Sequence, residues 1–163
     1  MCLVTLAFQQ HARYPLIVVA NRDEFYDRPT QPAEFWADSP SILAGRDLDA
    51  GGTWFGVDRS GNWATVTNTR GGGYYADKSR GGLPTGFLLN EGSSEDYFEE
   101  VLEEGELYSG FNLLAGSADE LLFCTNARGR TQHLNPGVFT LSNDSLDTPW
   151  PKSELARARL SLA

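Results

Sequence analysis

A cysteine at position 2 and a polar run at residues 21–24 are the parts of this sequence best suited to chemistry. Cys2 opens an apolar run that continues to residue 8, and the polar run directly follows a second apolar run at residues 16–20. Charged and amide side chains at the end of a buried strand are costly to desolvate unless they have partners or a chemical role. A thiol next to them is therefore a candidate catalytic site.

The two apolar runs predict a β-hairpin, because both are rich in strand-forming residues and the segment between them is polar. If Gln9 faces Pro15 across the loop, Cys2 lies opposite Arg22, to within about one position. The second strand would then bring Arg22 and Asp23 to the beginning of the first strand. The hairpin therefore predicts that the thiol and the polar run are neighbours.

Removal of Met1 would make Cys2 the N-terminal residue, and a small second residue normally permits this removal. A free α-amino group has a pKa of about 7.7–8.0 and a free thiol about 8.5, so near neutral pH the amine can accept the thiol proton. The amine of Cys2 would then be the catalytic base, as in N-terminal threonine nucleophiles. The alternative is that Cys2 is a small hydrophobic residue in a buried strand.

Other nucleophiles and metal sites have little support in the sequence. The only histidines are His11, in the predicted hairpin loop, and His133, near a turn, and no Cys/His spacing indicates zinc. No serine lies in a nucleophile elbow. We therefore expect no metal and no cofactor, and cysteine chemistry without a histidine leaves the terminal amine as the base.

A second predicted hairpin ends in another amide side chain. Residues 53–58 and 63–68 flank a glycine-containing turn, and the second of these strands ends at Asn68. Asn68 is a candidate substrate-binding residue or oxyanion donor. The alternative is that it is a turn residue at the end of a strand.

The rest of the chain predicts an α+β fold with a largely antiparallel sheet. Residues 28–42 contain three prolines and predict an irregular loop. Helices are predicted at residues 85–90, 94–104 and 153–162, the second of them capped by Ser93 or Ser94. Further strands are predicted at residues 111–115, 120–125, 131–134 and 137–142.

Length, charge and cysteine content limit the classes of partner. The 163 residues, 40% of them hydrophobic, suit one domain over residues 1–163. Thirteen basic against 22 acidic residues give a net charge of −9, which repels nucleic acid and anionic membranes. Two cysteines, no signal peptide pattern and no long apolar run predict a cytoplasmic protein without membrane insertion. A disulfide between Cys2 and Cys124 is the less favoured arrangement.

Several short blocks, in order over nearly the whole chain, resemble the NRDE family, which includes transport and Golgi organization protein 2-like proteins. The blocks are Met1-Cys2, Asn21-Arg22-Asp23-Glu24, Gly45-Arg46-Asp47, Gly51-Gly52-Thr53-Trp54, Ser79-Arg80-Gly81, Gly110-Phe111-Asn112-Leu113-Leu114, Leu141-Ser142-Asn143 and Pro149-Trp150-Pro151-Lys152. The resemblance implies an N-terminal nucleophile (Ntn) hydrolase-like fold, an αββα sandwich. The family usually continues well past the last block, so the chain is either a short member or the N-terminal part of a longer domain, with the sandwich incomplete at the C-terminus.

The resemblance also implies roles for individual residues. In acylase relatives of this fold, a strand of the form Gly-Val-x-Thr ends in an asparagine that helps to form the oxyanion hole, and residues 137–143 are similar. Asn143 is therefore a candidate oxyanion donor, and its alternative role is a turn residue. The same relatives have Arg-Asn-x-Asp where this chain has Asn21-Arg22-Asp23-Glu24, which leaves open which acid holds the amine.

These observations predict a cysteine amidohydrolase that acts on a small acyl-amide or another linear C–N bond. Cys2 would attack the carbonyl, Arg22 and Asp23 would tune the amine and orient the substrate, and Asn143 would stabilise the oxyanion. The expected substrate-binding residues are Asn21, Glu24, Asn68 and Arg80. The alternative is a non-catalytic binding protein on the same fold that handles haem or a lipid-like ligand, as proposed for eukaryotic members of the family.

Overall fold

Two stacked antiparallel sheets form the centre of the molecule, and helices lie against both outer faces. A computed structural model describes residues 2–69 and 76–161. Its strands are β1 Leu3–Phe8, β2 Leu16–Asn21, β3 Thr30–Phe35, β4 Ile42–Asp47, β5 Phe55–Asp58, β6 Trp63–Asn68, β7 Phe111–Gly116, β8 Leu121–Thr125, β9 Arg130–His133 and β10 Gly137–Leu141. Its α-helices are α1 Gly82–Leu89, α2 Ser94–Glu103 and α3 Pro151–Leu160. The first sheet has the order β10-β1-β2, and the second runs from β3 to β9 in sequence order.

Strand alternation divides the buried side chains into two cores. Val4, Leu6 and Phe8 of β1 pack between the two sheets, in one cluster with Phe123 of β8. Cys124, the next residue of β8, points to the opposite face and belongs to the core beneath α1 and α2. Because side chains alternate between the faces of a strand, one apolar strand can supply both cores.

Helix α3 covers part of the outer face of the first sheet. Arg157 donates a hydrogen bond of 2.7 Å to the carbonyl of Val138 in β10 and forms an ion pair with Asp147. Ala156 borders the same groove as Leu3 of β1. The layers are therefore α3, the first sheet, the second sheet, and α1 with α2, which confirms the predicted α+β sandwich with largely antiparallel sheets.

The first hairpin has the predicted register. Leu3 pairs with Asn21, and Phe8 pairs with Leu16. The backbone N–H of Gln9 donates to the carbonyl of Pro15 across the loop at 2.6 Å. Continuing the register by one residue places Cys2 at the level of Arg22.

The predicted irregular loop at residues 28–42 was wrong in part, because Thr30–Phe35 forms strand β3, paired with β4. The register of this pair shifts between Gln31 and Glu34, and Pro32 lies within that irregularity. Proline lacks an N–H group, but an edge strand or a bulge tolerates it. The strand was missed because its one proline, Pro32, is compatible with an edge position that the sequence alone does not reveal.

The predicted helices are present, with shifted ends. Helix α1 begins three residues before the predicted start at residue 85. Helix α2 agrees closely, and the Ser93 hydroxyl caps it by accepting from the backbone N–H of Asp96 at 3.1 Å. Helix α3 begins at Pro151, and the predicted last residue of this helix, Leu162, lies outside the described residues. No helix in the described ranges is long and apolar enough to span a membrane.

Two glycine backbones meet where the β4–β5 connection passes the start of α1. The N–H of Thr53 donates to the carbonyl of Gly81 at 3.0 Å. A Cβ atom added to Gly52 would lie 2.3 Å from that carbonyl oxygen, so any side chain there requires the backbone to shift. This contact fixes the segment that carries Arg80 against the second sheet.

We expect Gly52→Ala to lower the free energy of unfolding by about 1–3 kcal/mol, because the added methyl group cannot be accommodated without moving Gly81. Gly82→Ala is the matched control, since a Cβ there meets nothing within 4 Å and the residue is helical. It should leave stability unchanged or raise it by up to about 1 kcal/mol. Urea unfolding of the two variants measures both effects, and equal stabilities would contradict the close contact.

Candidate functional site

A cavity of about 240 Å³ lies at the end of the sandwich where β1 begins and β2, β4 and β6 end. It contains residues from both sheets and from the segment before α1. Of the eight predicted site residues, six line it: Cys2, Arg22, Asp23, Glu24, Asn68 and Arg80. The sequence prediction therefore brought together residues from four separate segments of the chain.

Cys2 is held by its backbone and leaves its thiol at the cavity. Its carbonyl accepts hydrogen bonds from the Ser142 hydroxyl at 2.8 Å and from Lys152 Nζ at 3.3 Å. The Cys2 thiol donates a weak hydrogen bond to the Asp23 carbonyl, with a sulfur–oxygen distance of 4.0 Å. The thiol is thus next to the polar run, as the hairpin predicted, whereas Met1 lies outside the described residues.

Arg22 lies over an aromatic ring in the cavity wall. Its guanidinium carbon is 4.2 Å from the centre of the Trp54 ring, and its Nη2 is 3.7 Å from a carboxylate oxygen of Glu24. The Trp54 carbonyl accepts from the N–H of Val66 at 3.0 Å and from the hydroxyl of Thr65 at 2.9 Å. Strand β6 therefore positions Trp54, and Trp54 positions Arg22.

An ion pair between Arg28 and Asp47 forms another part of the wall, with a nitrogen–oxygen distance of 2.7 Å. Burial alone would raise the pKa of Asp47, but the hydrogen bond from Arg28 and those from the N–H groups of Ala50 and Asp49 lower it below the usual value. Sequence analysis did not identify this pair as part of the site. Asp47 does fall in a recognised block, whereas no pattern pointed to Arg28.

Arg80 and Lys78 enter the cavity from the segment before α1. Lys78 pairs with Glu104 at 2.6 Å. Arg80 donates one hydrogen bond to the carbonyl of Gly110 at 3.2 Å. Burial lowers the pKa of Arg80 below its usual value, against the opposing charge of Glu24. Arg80 is thus a half-buried guanidinium in the same cavity as Cys2.

Two predicted site residues, Asn143 and Asn21, do not line this cavity. The Asn143 side-chain amide donates to the carbonyl of Asn68 at 3.1 Å, so it contacts a residue of the cavity wall. Its Oδ1 atom is buried and has no hydrogen-bond partner among the residues that the structure describes. Asn21 borders the neighbouring groove toward α3, with Leu3 and Val19. The catalytic role of Asn143 and the substrate-binding role of Asn21 stay predictions.

The second cysteine lies in a very different environment. Both cysteines are free thiols, so no disulfide joins them. Cys124 is fully buried in β8, and burial raises the pKa of its thiol to about 12. A buried thiol with a raised pKa is a poor nucleophile near neutral pH. Chemistry by cysteine in this protein is therefore expected at Cys2.

Neither histidine, both in the described part of the chain, lines the cavity. Within residues 2–69 and 76–161, one group of possible metal ligands lies close together: Glu95, Glu120 and His133, whose donor atoms are within 4.8 Å of one another. Glu95 and His133 are exposed, and exposed carboxylates commonly cluster without binding a metal. This group is separate from the Cys2 cavity.

Comparison with known proteins identifies the family. A family model described as Transport and Golgi organisation 2 matches residues 1–163. The chain belongs to this family. The predicted resemblance to the NRDE proteins is thereby confirmed, because those proteins are the same family.

Sequence similarity to individual proteins supports the same family assignment. The chain is 37% identical over 166 residues to the Transport and Golgi organization 2 homolog of Mus musculus and 38% identical over 167 residues to the corresponding homolog of Homo sapiens. Each alignment covers 93% of this chain and 60% of the relative. A Drosophila melanogaster member, Transport and Golgi organization protein 2, is 29% identical over 140 residues. The chain thus spans about 60% of the length of its mammalian relatives.

The Arg28–Asp47 pair predicts a pH-dependent contribution to stability. Asp47→Asn should lower the free energy of unfolding at pH 7 by about 1–2 kcal/mol, because it removes the ion pair and weakens two backbone hydrogen bonds. Since the folded-state pKa of Asp47 is lowered, its contribution is complete above the unfolded pKa of about 3.9 and is lost as the pH falls through the folded pKa. Urea unfolding at pH 7 and pH 3 measures the difference.

Asp119→Asn is the matched control for this measurement, because it makes the same charge change at an exposed turn residue. We expect it to change stability by no more than about 0.5 kcal/mol. A stability loss in Asp47→Asn that is the same at both pH values would contradict the ionic origin of the effect.

Proposed function

We propose that this chain is an N-terminal nucleophile cysteine amidohydrolase that cleaves a small acyl-amide or another linear C–N bond. The observation that carries the proposal is that the Cys2 thiol shares one cavity with Arg22, Asp23 and Asn68. The four layers of helices and sheets support an Ntn-hydrolase-like version of the fold. In this proposal residues 1–163 are one domain, or the N-terminal part of a longer family domain.

The proposed reaction begins with proton transfer from the Cys2 thiol to the α-amine of the same residue. The thiolate attacks the substrate carbonyl carbon and forms a tetrahedral intermediate. The protonated amine then donates its proton to the leaving nitrogen, the C–N bond breaks, and a thioester remains on Cys2. Water attacks this thioester after giving a proton to the amine, which releases a carboxylic acid and restores the thiol.

Fixation of the Cys2 carbonyl supports this mechanism. Ser142 and Lys152 both donate to that oxygen, so the backbone of the nucleophile cannot rotate freely. In an N-terminal residue the thiol and the amine are attached to one Cα atom, and holding the carbonyl restricts the directions of both. Such preorganisation lowers the reaction barrier, because less ordering remains to be done in the transition state.

The acidic side chains and Arg22 would surround the amine and the substrate. Asp23 and Glu24 line the cavity beside Cys2, and either carboxylate can hold a protonated amine. Arg22 is restrained between Trp54 and Glu24, which suits a residue that orients a substrate carbonyl. Paired Asp23→Asn and Glu24→Gln variants would identify the acid that holds the amine.

The oxyanion donors in this proposal are the amides at the ends of β6 and β10. Asn68 lines the cavity, and the Asn143 amide donates to the Asn68 carbonyl, so the two residues form a connected pair. This contact uses one of the two N–H groups of the Asn143 amide. In this proposal the other N–H group donates to the oxyanion of a substrate that extends from the cavity to Asn143.

The names of the relatives describe transport and Golgi organization and give no reaction. They therefore leave a non-catalytic role, the binding of haem or a lipid-like ligand, as the competing function. The two functions make opposite predictions about the chemistry of Cys2, because binding alone requires neither a free terminus nor a reactive thiol.

We expect the protein made in cells to begin at Cys2 and to be acylated at Cys2 in preference to Cys124. The reason is that Cys124 is buried with a raised pKa, whereas Cys2 borders an open cavity. Intact mass before and after treatment with p-nitrophenyl acetate near neutral pH, followed by peptide mapping, measures both points. A variant that retains an N-terminal extension is the control, and it should form no acyl-enzyme although its thiol is intact.

Retention of Met1 in the native protein, or earlier modification of Cys124, would remove the main support for the hydrolase. A haem titration followed in the visible spectrum then tests the binding alternative directly. Saturable haem binding by a protein whose Cys2 does not react would favour the binding function.

Asn143→Ala should slow acyl transfer from the probe to Cys2 by about 10²-fold or more and leave the fold intact, as expected for the loss of an oxyanion donor. The rate constant of acylation is measured by single-turnover kinetics. Asn135→Ala is the matched control, because Asn135 is an exposed asparagine before the other end of β10. Equal rates in the two variants would assign Asn143 to a structural role at the strand end.

A further inference from the structure

The cationic side chains of the cavity differ in whether they form an ion pair with an acidic side chain. Four cationic side chains of the described residues line the cavity, and three of them form ion pairs. The pairs are Arg28–Asp47 (2.7 Å), Lys78–Glu104 (2.6 Å) and Arg22–Glu24 (3.7 Å). Among the described residues, no carboxylate lies within 4.0 Å of the Arg80 guanidinium.

Arg80 is nevertheless fixed in place. Its Nη1 donates to the carbonyl of Gly110, and the next residue, Gly81, is held by the N–H of Thr53. A guanidinium has five N–H donors, and within the described part of the chain Arg80 uses one of them in a hydrogen bond. Removing a guanidinium from water without a directly paired acid is costly, and burial lowers the pKa of Arg80 although the charge of Glu24 opposes this. A bound anion would offset this cost.

The balance of charge in the cavity points the same way. Four cations line the cavity, and the three lining carboxylates together with Glu104, the partner of Lys78, also number four. The cavity is thus close to neutral, in contrast to a net charge of −9 for the whole chain. An anion is therefore repelled less at this cavity than over most of the protein surface.

We propose that Arg80 binds a carboxylate of the substrate, so that the bond attacked by Cys2 belongs to an acyl-amide that carries a carboxylate. This inference rests on the proposed function, since it names the substrate class of the same site. The planar guanidinium fork matches a carboxylate with two parallel hydrogen bonds, which gives orientation as well as affinity. Arg80 would thus select anionic amides and align them beside the thiol.

Alkylation of Cys2 with two reagents tests the inference without a known substrate. Iodoacetate and iodoacetamide react identically, since the sulfur attacks the methylene carbon and iodide leaves, but only iodoacetate carries a carboxylate. The measured quantity is the ratio of the two second-order rate constants at Cys2, obtained by peptide mapping. Arg80→Gln should lower the iodoacetate rate about tenfold and leave the iodoacetamide rate within about twofold, because a charge-assisted hydrogen bond is lost.

Two further variants define the origin of the effect. Arg130→Gln makes the same charge change at an exposed residue that does not line the cavity, and its rate ratio should equal that of the wild type. Arg80→Lys retains the charge without the fork, and its ratio should be intermediate. High salt should reduce the wild-type ratio, because it screens the attraction of the anion. Circular dichroism establishes that each variant is folded.

The outcomes separate this inference from the proposed function. Equal ratios in Arg80→Gln and Arg130→Gln would overturn it, as would equal slowing of both reagents, which would show that Arg80 acts on the thiol. The hydrolase proposal fails separately, if no acyl-enzyme forms at Cys2. The alkylation ratio can still be measured in that case, because any accessible thiol reacts with both reagents, and a carboxylate preference would then describe a binding cavity.

Discussion

The pairing of β1 with both of its neighbours is the constraint on which the candidate site depends. Leu3 pairs with Asn21 of β2, and Val4 pairs with Leu141 of β10, so the residues that follow both neighbouring strands arrive at Cys2. A slip of one residue would turn Val4 and the rest of the inward-facing set away from the core between the sheets. Burial of apolar side chains therefore fixes the positions of polar ones, and the stability of the sheet and the geometry of the site have one cause.

The second sheet completes the site through a contact that needs glycine. Gly52 lets the β4–β5 connection approach Gly81 closely, and this approach places Arg80 opposite the end of β2. Polar and charged groups from both sheets then meet at an end of the sandwich that is open to solvent. There they pair with one another at a modest desolvation cost, which a fully buried position would not permit.

Local patterns explain what the sequence could predict. Two apolar runs and the polar loop between them were enough for the register of the first hairpin, and a serine before an amphipathic run was enough for the start of α2. Strand β3 was missed because its Pro32 is compatible only with an irregular edge. The ion pair of Arg28 with Asp47 and the hydrogen bond from Asn143 to Asn68 depend on contacts between distant segments, and no local pattern encodes these.

The arrangement of charges explains why the cavity can be preorganised before a ligand binds. Arg22 is restrained by Trp54, and Arg28 by Asp47, so the surrounding cations keep their positions without help from a substrate. Fixed charges in a partly desolvated site act more strongly than mobile charges in water, because no energy is needed to reorient them during a reaction. Arg80, fixed through the backbone around Gly81 but lacking an acid among the described residues, is then the cation whose charge a ligand can use most fully.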